Sequence, residues 1–396
     1  MTKNHMIFHI RRHPGYFLAF SITVTACYFL FTLNYIFVRT VTCLRGLQIG
    51  ACVSRRDSHP EEWPTNSNLQ SDEGPSHETK LVLLWSPLFS GPEFLQIGNR
   101  SFDHPSCAEK RCEVTFERSR LMESDAVLFH LRTLSMTDIP SSRTAHQKWV
   151  FFSLEAPPYS HFHGLAFMRD MFNWTMTYRR DSDIVIPYGK AVRTNKSAFN
   201  SNKLHSLWKE KSKMAVWMVS HCDTDSKREE YVEELTHHMD VATYGGCGVA
   251  VCPFNKTNDC LKKFSKQFFF YLAFENAICD DYITEKFYRT LNHGMIPVVF
   301  GGGDYSSVAP IGSYINAMDF SSPKELANYL YKVASNFSLF SEYFKWKIVG
   351  YEIEDLPNPC ALCEKLHSRV FLLRSVYHDM QKWWIKNSFC GKWVGS

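Results

Sequence analysis

The chain has 396 residues, 45% of them hydrophobic and 15% aromatic, enough to bury two domain-sized cores and too apolar for disorder to dominate. Its formal net charge is a modest +4, and no dense Lys/Arg patch lies within a nucleic-acid module, so nucleic acid is set aside as a partner.

A short tail, residues 1–14, precedes Gly15 to Val38, a run of 24 residues without a charged side chain. As a helix it would be about 36 Å long, enough to cross a bilayer core once. The run is longer than the apolar core of a cleaved signal peptide and is followed by Arg39 and Arg45 rather than an A-x-A exit, which favours a signal anchor. Basic residues flank both ends, so orientation is read from the rest of the chain. Five N-x-S/T sequons, at Asn99, Asn173, Asn195, Asn255 and Asn336, lie C-terminal to the run, as do 12 of the 13 cysteines. Both features suit an oxidising lumen, and the expectation is a type II membrane protein with a cytosolic tail and a lumenal body. Residues 39–79 are expected to form a stem. Ser54 to Thr79 within it is rich in Ser, Pro, Glu and Asn and has too few aliphatics to build a core.

The folded body is expected to start near Lys80. Leu81–Trp85, Cys112–Phe116, Asp125–Leu131 and Trp149–Leu154 read as short buried strands of one α/β domain covering residues 80–200. Asn195–Lys213 is polar and lysine-rich and reads as an interdomain linker. A second α/β domain, residues 201–350, begins with the strand Met214–Val219, a helix over Ser226–Met239 and a strand at Val241–Tyr244. Gln267–Phe274 is a continuous apolar strand, followed by a helix from Tyr282 with Ile283, Phe287 and Leu291 on its core stripe. Tyr282, Glu285, Lys286 and Arg289 are assigned to the helix's other face. Gly294 ends this helix, Ile296–Phe300 forms the next strand before three glycines, and a helix runs from Pro323 through Ala334. Residues 351–396 are expected to pack back on the first domain.

Strand, loop, helix and strand in this order build a nucleotide site, because ligands sit beyond the strands' carboxyl ends and a helix N-terminus there attracts phosphate. Glu275, Asn276, Tyr282, Glu285 and Lys286 map to that rim; exposed Glu and Lys residues on a helix are otherwise ordinary solvated charge. Gly301, Gly302 and Gly303 lack the spacing of a phosphate loop. Glu155 follows an apolar strand and precedes Ala156-Pro157-Pro158, which places a carboxylate at a sheet edge where it could act as a general base. A turn carboxylate facing solvent is the plain alternative. Asp181-Ser182-Asp183 has the spacing of a metal-binding carboxylate pair, although Arg179 and Arg180 beside it can neutralise it. Arg228, in the first turn of its helix, can offer a forked donor to phosphate or pair with Glu229 or Glu230. His161, His163, His237 and His238 show no metal-ligand spacing. Cys360 and Cys363 have CxxC spacing and Cys107 and Cys112 form a second near pair; they read as a zinc site, as local disulfides or, most economically, as bridges joining the two pairs.

The string FYLAFENAICDDYITEKFYRTLNHGMIPVVFG resembles the signature of the α1,3-fucosyltransferase family, glycosyltransferase family 10. The likeness extends through SLEAPPYSHF, FNWTMTYRRDSDIVIPYG and WMVSHC to CALCEKLH, roughly Lys80 to His367. The resemblance implies a GT-B fold, two Rossmann-like domains facing across a cleft, with acceptor on the first and GDP-fucose on the second. It implies transfer of fucose with inversion to O3 of N-acetylglucosamine in glycoprotein or glycolipid glycans, in the Golgi membrane. No metal cofactor is obligatory on this reading, and a divalent cation would at most stimulate release of GDP. Glu155 matches the family's base, and Arg228 and Lys286 match positions that neutralise the pyrophosphate. Tyr188, Ser220, Tyr271, Asn276 and Tyr282 match donor-pocket positions, and Glu285 the carboxylate at the fucosyl end. Ala277 stands where the family commonly has Ser, and His221 where it has Asn. Two rival readings remain at this stage: a catalytically silent glycan-binding protein of the same fold, and a metal-dependent sugar transferase using Asp181 and Asp183. Membrane span and stem could support a homodimer.

Overall fold

The computed structural model describes residues 78–88, 95–160, 164–194, 200–248, 252–253, 256–354 and 359–395. The expected tail, the Gly15–Val38 span, the stem up to residue 77, His161, His163, Asn195 and Asn255 lie outside the described residues. Among the described residues, no helix is long and apolar enough to cross a membrane.

Two parallel sheets organise the body. The first contains β1 (Lys80–Leu84), β2 (Cys112–Thr115), β3 (Ala126–His130), β4 (Lys148–Ser153), β5 (Trp174–Thr177) and β6 (Ile184–Val185), in the order β2-β1-β3-β4-β5-β6. Every residue of β3, β4 and β5 is buried, as strands covered on both faces require. The strand period of two splits their side chains cleanly. Val127, Phe129, Trp149 and Phe151 meet Leu165, Phe172, Met380, Trp383 and Trp384 on one face. Ala126, Leu128, Val150 and Phe152 meet Leu95, Phe102, Leu362, Leu366 and Phe371 on the other. The C-terminal segment therefore supplies cover to both faces of the first sheet.

A third element, the antiparallel pair of β7 (Lys190–Arg193) and β13 (Tyr351–Glu354), ties the chain leaving the first sheet to the chain leaving the second. The second sheet contains β8 (Lys213–Met218), β9 (Val241–Tyr244), β10 (Phe268–Phe274), β11 (Ile296–Phe300) and β12 (Ile315–Asn316), in the order β12-β11-β10-β8-β9 and parallel throughout. Helices α1 (Ser201–Glu210), α2 (Arg228–Thr236), α3 (Thr257–Gln267), α4 (Glu285–Asn292) and α5 (Pro323–Ser335) cover it. Leu235 and Leu330 pack with Phe270 and Val298 on one side, Phe264 and Phe287 with Val216 and Val299 on the other.

Two expectations need correction. Residues 201–210 are helical, not linker: Asn200 caps the helix by accepting from Lys203 N at 2.9 Å, and Leu204, Leu207 and Trp208 supply a narrow apolar stripe amid the lysines. Tyr282 is not on the exposed face of a helix. α4 begins at Glu285 with Thr284 as its N-cap residue, and Tyr282 lies in the preceding loop, 2% exposed.

Candidate functional site

The loops after the carboxyl ends of the two sheets meet each other. Glu155, just beyond β4, lies 3.5 Å from the Tyr282 hydroxyl in the loop after β10. Tyr159, from the same β4 loop, accepts a hydrogen bond from Asp225 N at 2.7 Å, and its ring lies edge-on to His221, 5.0 Å away, in the loop after β8. Arg180, in the turn after β5, pairs with Asp281 at 2.8 Å and donates to Ser307 at 3.3 Å. Tyr178 and Tyr282 pack with ring centroids 4.9 Å apart. The site is thus the crevice that open α/β sheets form beyond their strands.

In the second sheet the chain runs from β8 outward to β9 and then crosses to β10 on β8's other side, so the switch point lies between β8 and β10. Ser220 follows β8, remains exposed, and accepts from Gly246 N at 3.1 Å. Glu275 and Asn276 follow β10. The Glu275 carboxylate is fully buried and accepts from Thr284 N at 2.8 Å, from the Thr284 hydroxyl at 2.9 Å and from Lys286 Nζ at 3.1 Å. Burial raises its pKa against the opposing pull of Lys286. Lys286 also donates to the Thr284 hydroxyl at 2.8 Å and lies 3.6 Å from Glu285. Burial alone would discharge this ammonium, but the fields of Glu275 and Glu285 outweigh it and raise the pKa. For Glu285 burial again opposes charge, and Lys286 and Arg289 overcome it and hold the carboxyl below its usual range. Side chains of Lys286 and Glu285 keep 22% and 33% of their surface exposed. Asn276 Oδ1 is buried without a hydrogen-bond partner among the described residues, an acceptor that a ligand donor would satisfy.

Of the two sequence readings of Arg228, the structure shows the pairing with Glu229 and not a free phosphate fork. Its side chain is 4% exposed, and its donors go to the Phe274 carbonyl at 2.8 Å, the His221 carbonyl at 2.9 Å and Glu229 at 3.0 Å. It clamps the loop after β8 to the end of β10. Tyr271, matched to a donor pocket, sits three residues before the end of β10 and is 3% exposed in the core beside Val216 and Phe287. The even-odd alternation of a strand buried on both faces sends it inward.

On the first sheet's side, Glu155 keeps a third of its side chain exposed and lies 3.4 Å from Arg132, which sits just beyond β3. The Tyr188 hydroxyl donates to the Leu154 carbonyl, fixing the backbone one residue before Glu155, and its ring contacts Tyr282. Arg132 carried no recognisable signal, since only the pairing of β3 with β4 brings it to Glu155, and Tyr159 lies within SLEAPPYSHF but nothing in that string marks its contact with the loop after β8.

Asp181 and Asp183 do not form an open carboxylate pair. Asp181 is held by Arg179 at 2.8 Å, and Asp183 accepts from Thr175 N at 2.9 Å and Tyr377 at 2.8 Å. This donor set fits a structural brace and not a divalent ion. Cys107 is bonded to Cys360 and Cys112 to Cys363, so these sulfurs are not zinc thiolates. Further bridges join Cys222 to Cys247, Cys252 to Cys260 and Cys279 to Cys390. Ala277 is buried in the aromatic cluster of Tyr178, Tyr282 and Trp384. His237 and His238 are exposed on the surface. A separate cavity of about 340 Å³, lined by Tyr314, Asn316 and Tyr329, touches none of the residues assigned to the crevice.

Comparison with known proteins bears on the family of the chain. Residues 77–189 match the model described as "Fucosyltransferase, N-terminal" and residues 208–383 the model described as "Glycosyltransferase family 10 (fucosyltransferase) C-term". Alpha-(1,3)-fucosyltransferase C of Drosophila melanogaster is 35% identical over 342 residues, covering 78% of this chain and 78% of its own length. Glycoprotein 3-alpha-L-fucosyltransferase A of the same species is 34% identical, with 80% of this chain and 62% of its own length covered. The 4-galactosyl-N-acetylglucosaminide 3-alpha-L-fucosyltransferase 9 of Mus musculus is 37% identical over 63% of this chain and 68% of its own. A solved structure of an alpha1,3-fucosyltransferase with GDP overlays with a TM-score of 0.49 and 16% identity over 80% of this chain and 96% of its own. The two family matches and the 35% identity across most of both chains decide the assignment: the chain belongs to glycosyltransferase family 10, the fucosyltransferases.

Proposed function

We propose that this chain is an inverting α1,3-fucosyltransferase with a GT-B arrangement, the first sheet's domain (residues 80–200) holding the acceptor and the second's (201–350) holding GDP-fucose. The observation that carries this reading is the meeting of Glu155 with Tyr282 at 3.5 Å, because it joins a part-exposed carboxylate to the loop that leads into Glu285 and Lys286. In the proposed step Glu155 takes the proton from O3 of N-acetylglucosamine while that oxygen attacks C1 of fucose. The bond from C1 to the β-phosphate oxygen breaks, its electron pair leaves on GDP, and Lys286 offsets the charge that develops there. Attack opposite the leaving group inverts C1. Ser220, Asn276 and the N-terminus of α4 line the donor side, with Arg228 holding the loop that carries Ser220. The acceptor is a glycoprotein or glycolipid glycan, and the expected setting is the Golgi lumen behind a single membrane span.

A transfer assay tests the proposal. The lumenal portion, residues 39–396, is incubated with GDP-fucose and a panel of LacNAc, LacdiNAc and N-glycan-core acceptors, with linkage analysis of products. Fucose on O3 of N-acetylglucosamine supports the proposal; glycan binding without any transfer contradicts it and favours a silent binding protein. Activity is expected to persist in EDTA, since Asp181 and Asp183 are already committed to Arg179, Thr175 and Tyr377. Complete, metal-reversible loss would favour the metal-dependent reading.

A further inference from the structure

The hydrogen bonds around α4 leave one buried charged group without a place in the proposed chemistry: Glu275, which is wholly inaccessible and so touches no substrate. We infer that Glu275 is a positioning residue that sets Lys286 and the first turn of α4 for the donor's pyrophosphate. This inference rests on the proposed donor side of the crevice.

Thr284 occupies the N-cap of α4 yet makes no capping bond with its own side chain. The carboxylate of Glu275, reaching from the end of β10, instead satisfies the N-cap residue's own donors, accepting from Thr284 N and from its hydroxyl. The same carboxylate accepts from Lys286 Nζ, and the Thr284 oxygen accepts from it as well, so two of the three ammonium hydrogens are fixed in direction. A long, four-carbon side chain is thereby held in one orientation before ligand arrives, which lowers the ordering cost of binding. Glu275 is itself immobilised, since Gly301 packs against it: a Cβ on Gly301 would stand 3.2 Å from Glu275 Cγ and 2.7 Å from the Tyr305 hydroxyl. Sheet, helix cap and ammonium thus form one connected unit, and Glu275 is the piece that joins them.

The test is a double-mutant cycle read by calorimetric GDP binding and by steady-state kinetics, using Glu275→Gln, Lys286→Gln and the pair. Glu275→Gln is expected to weaken GDP binding about tenfold or more in the wild-type background and to change it less than twofold when Lys286 is already Gln. An equal loss in both backgrounds, or no loss in the first, overturns the inference. Thr284→Val, which keeps the backbone N–H but removes the hydroxyl that steers Lys286, is the second variant should Glu275→Gln not fold. It is expected to weaken GDP binding severalfold only when Lys286 is present, and an effect independent of Lys286 counts against the inference. GDP binding reads the role of Glu275 even if no acceptor is ever fucosylated, so failure of the transfer assay and failure of this inference remain distinct.

Discussion

Tyr188 tethers the backbone beside the candidate base. Its hydroxyl bonds to the Leu154 carbonyl, so Tyr188→Phe leaves a carbonyl unpaired next to Glu155 and frees that loop by one tether. The expected result is a drop in kcat of about tenfold with an unchanged fold by circular dichroism. Asn173 shows why a motif alone misleads at this scale. Its side chain bridges Trp149 N at 2.9 Å and the Ser375 carbonyl at 2.7 Å, whereas Asn99 and Asn336 are exposed. Glycopeptide mass spectrometry of protein from a glycosylating host is expected to find glycan at Asn99 and Asn336 in preference to Asn173. Lys211 offers a pH prediction. Burial pushes its ammonium down to about 7, with Nζ donating to the Phe268 carbonyl at 2.8 Å. Between pH 7 and about 10.5 the unfolded chain then binds more protons at this site than the folded one, so stability rises with pH across that window. Below pH 7 both states are charged and the contribution is flat. Lys211→Met is expected to remove that rising component from Tm measured between pH 7 and 10.

Among the elements, the three glycines after β11 turn out to serve packing. A Cβ on Gly302 would stand 2.7 Å from the Cys279 carbonyl oxygen, and one on Gly303 2.3 Å from Ile283. They let the β10–α4 loop lie directly on the end of β11. Gly302→Ala must push back the backbone of Cys279, and activity is expected to fall at least tenfold with loss of GDP affinity, measured against the wild type by calorimetry. The continuous apolar strands were legible in the sequence because both faces of a parallel sheet are covered: β3, β4, β10 and β11 lie within a residue of their expected bounds. β5, β7 and β13 were not. β5 carries Thr at alternate positions, and both are buried by side-chain hydrogen bonds that no strand pattern announces: Thr175 with Asp183 and Tyr377, Thr177 with Ser182 and Arg179 N. β7 and β13 are polar ribbons whose pairing is set by the packing of larger elements around them. Helix α1 hid in a lysine-rich stretch because three apolar side chains suffice for one packed face. At the site, Glu155 and Asn276 were placed by the apolar strands they follow and Glu285 and Lys286 by the start of the next helix, while the burial of Arg228 and Tyr271 depended on contacts between elements.

In the molecule as a whole, the C-terminal segment is the fastener. It covers both faces of the first sheet, then reaches the second through the Cys279–Cys390 bridge and the bond from Gly391 N to the Ile278 carbonyl at 2.7 Å. Two bridges close nearly the same loop, with separations of 253 and 251 residues. In the chain-entropy picture the first closure contributes about 5 kcal/mol and the second, which then confines only about eight further residues, about 2 kcal/mol. Removing Cys107–Cys360 or Cys112–Cys363 alone by paired Cys→Ala changes is therefore expected to cost about 2 kcal/mol, and removing both about 7 kcal/mol, measured by denaturant unfolding of oxidised protein. The same fastening holds the two carboxyl edges together, and in the proposed reaction a proton leaves from one edge while the leaving group is held at the other. Glu155→Gln tests that division most directly when turnover and GDP binding are measured on the same preparation. Transfer is expected to fall by at least about a thousandfold with GDP affinity within twofold of wild type, because the substitution removes a base and leaves Lys286 and its partners in place. Near-normal turnover, or a loss of GDP binding large enough to explain the lost transfer, would contradict that division.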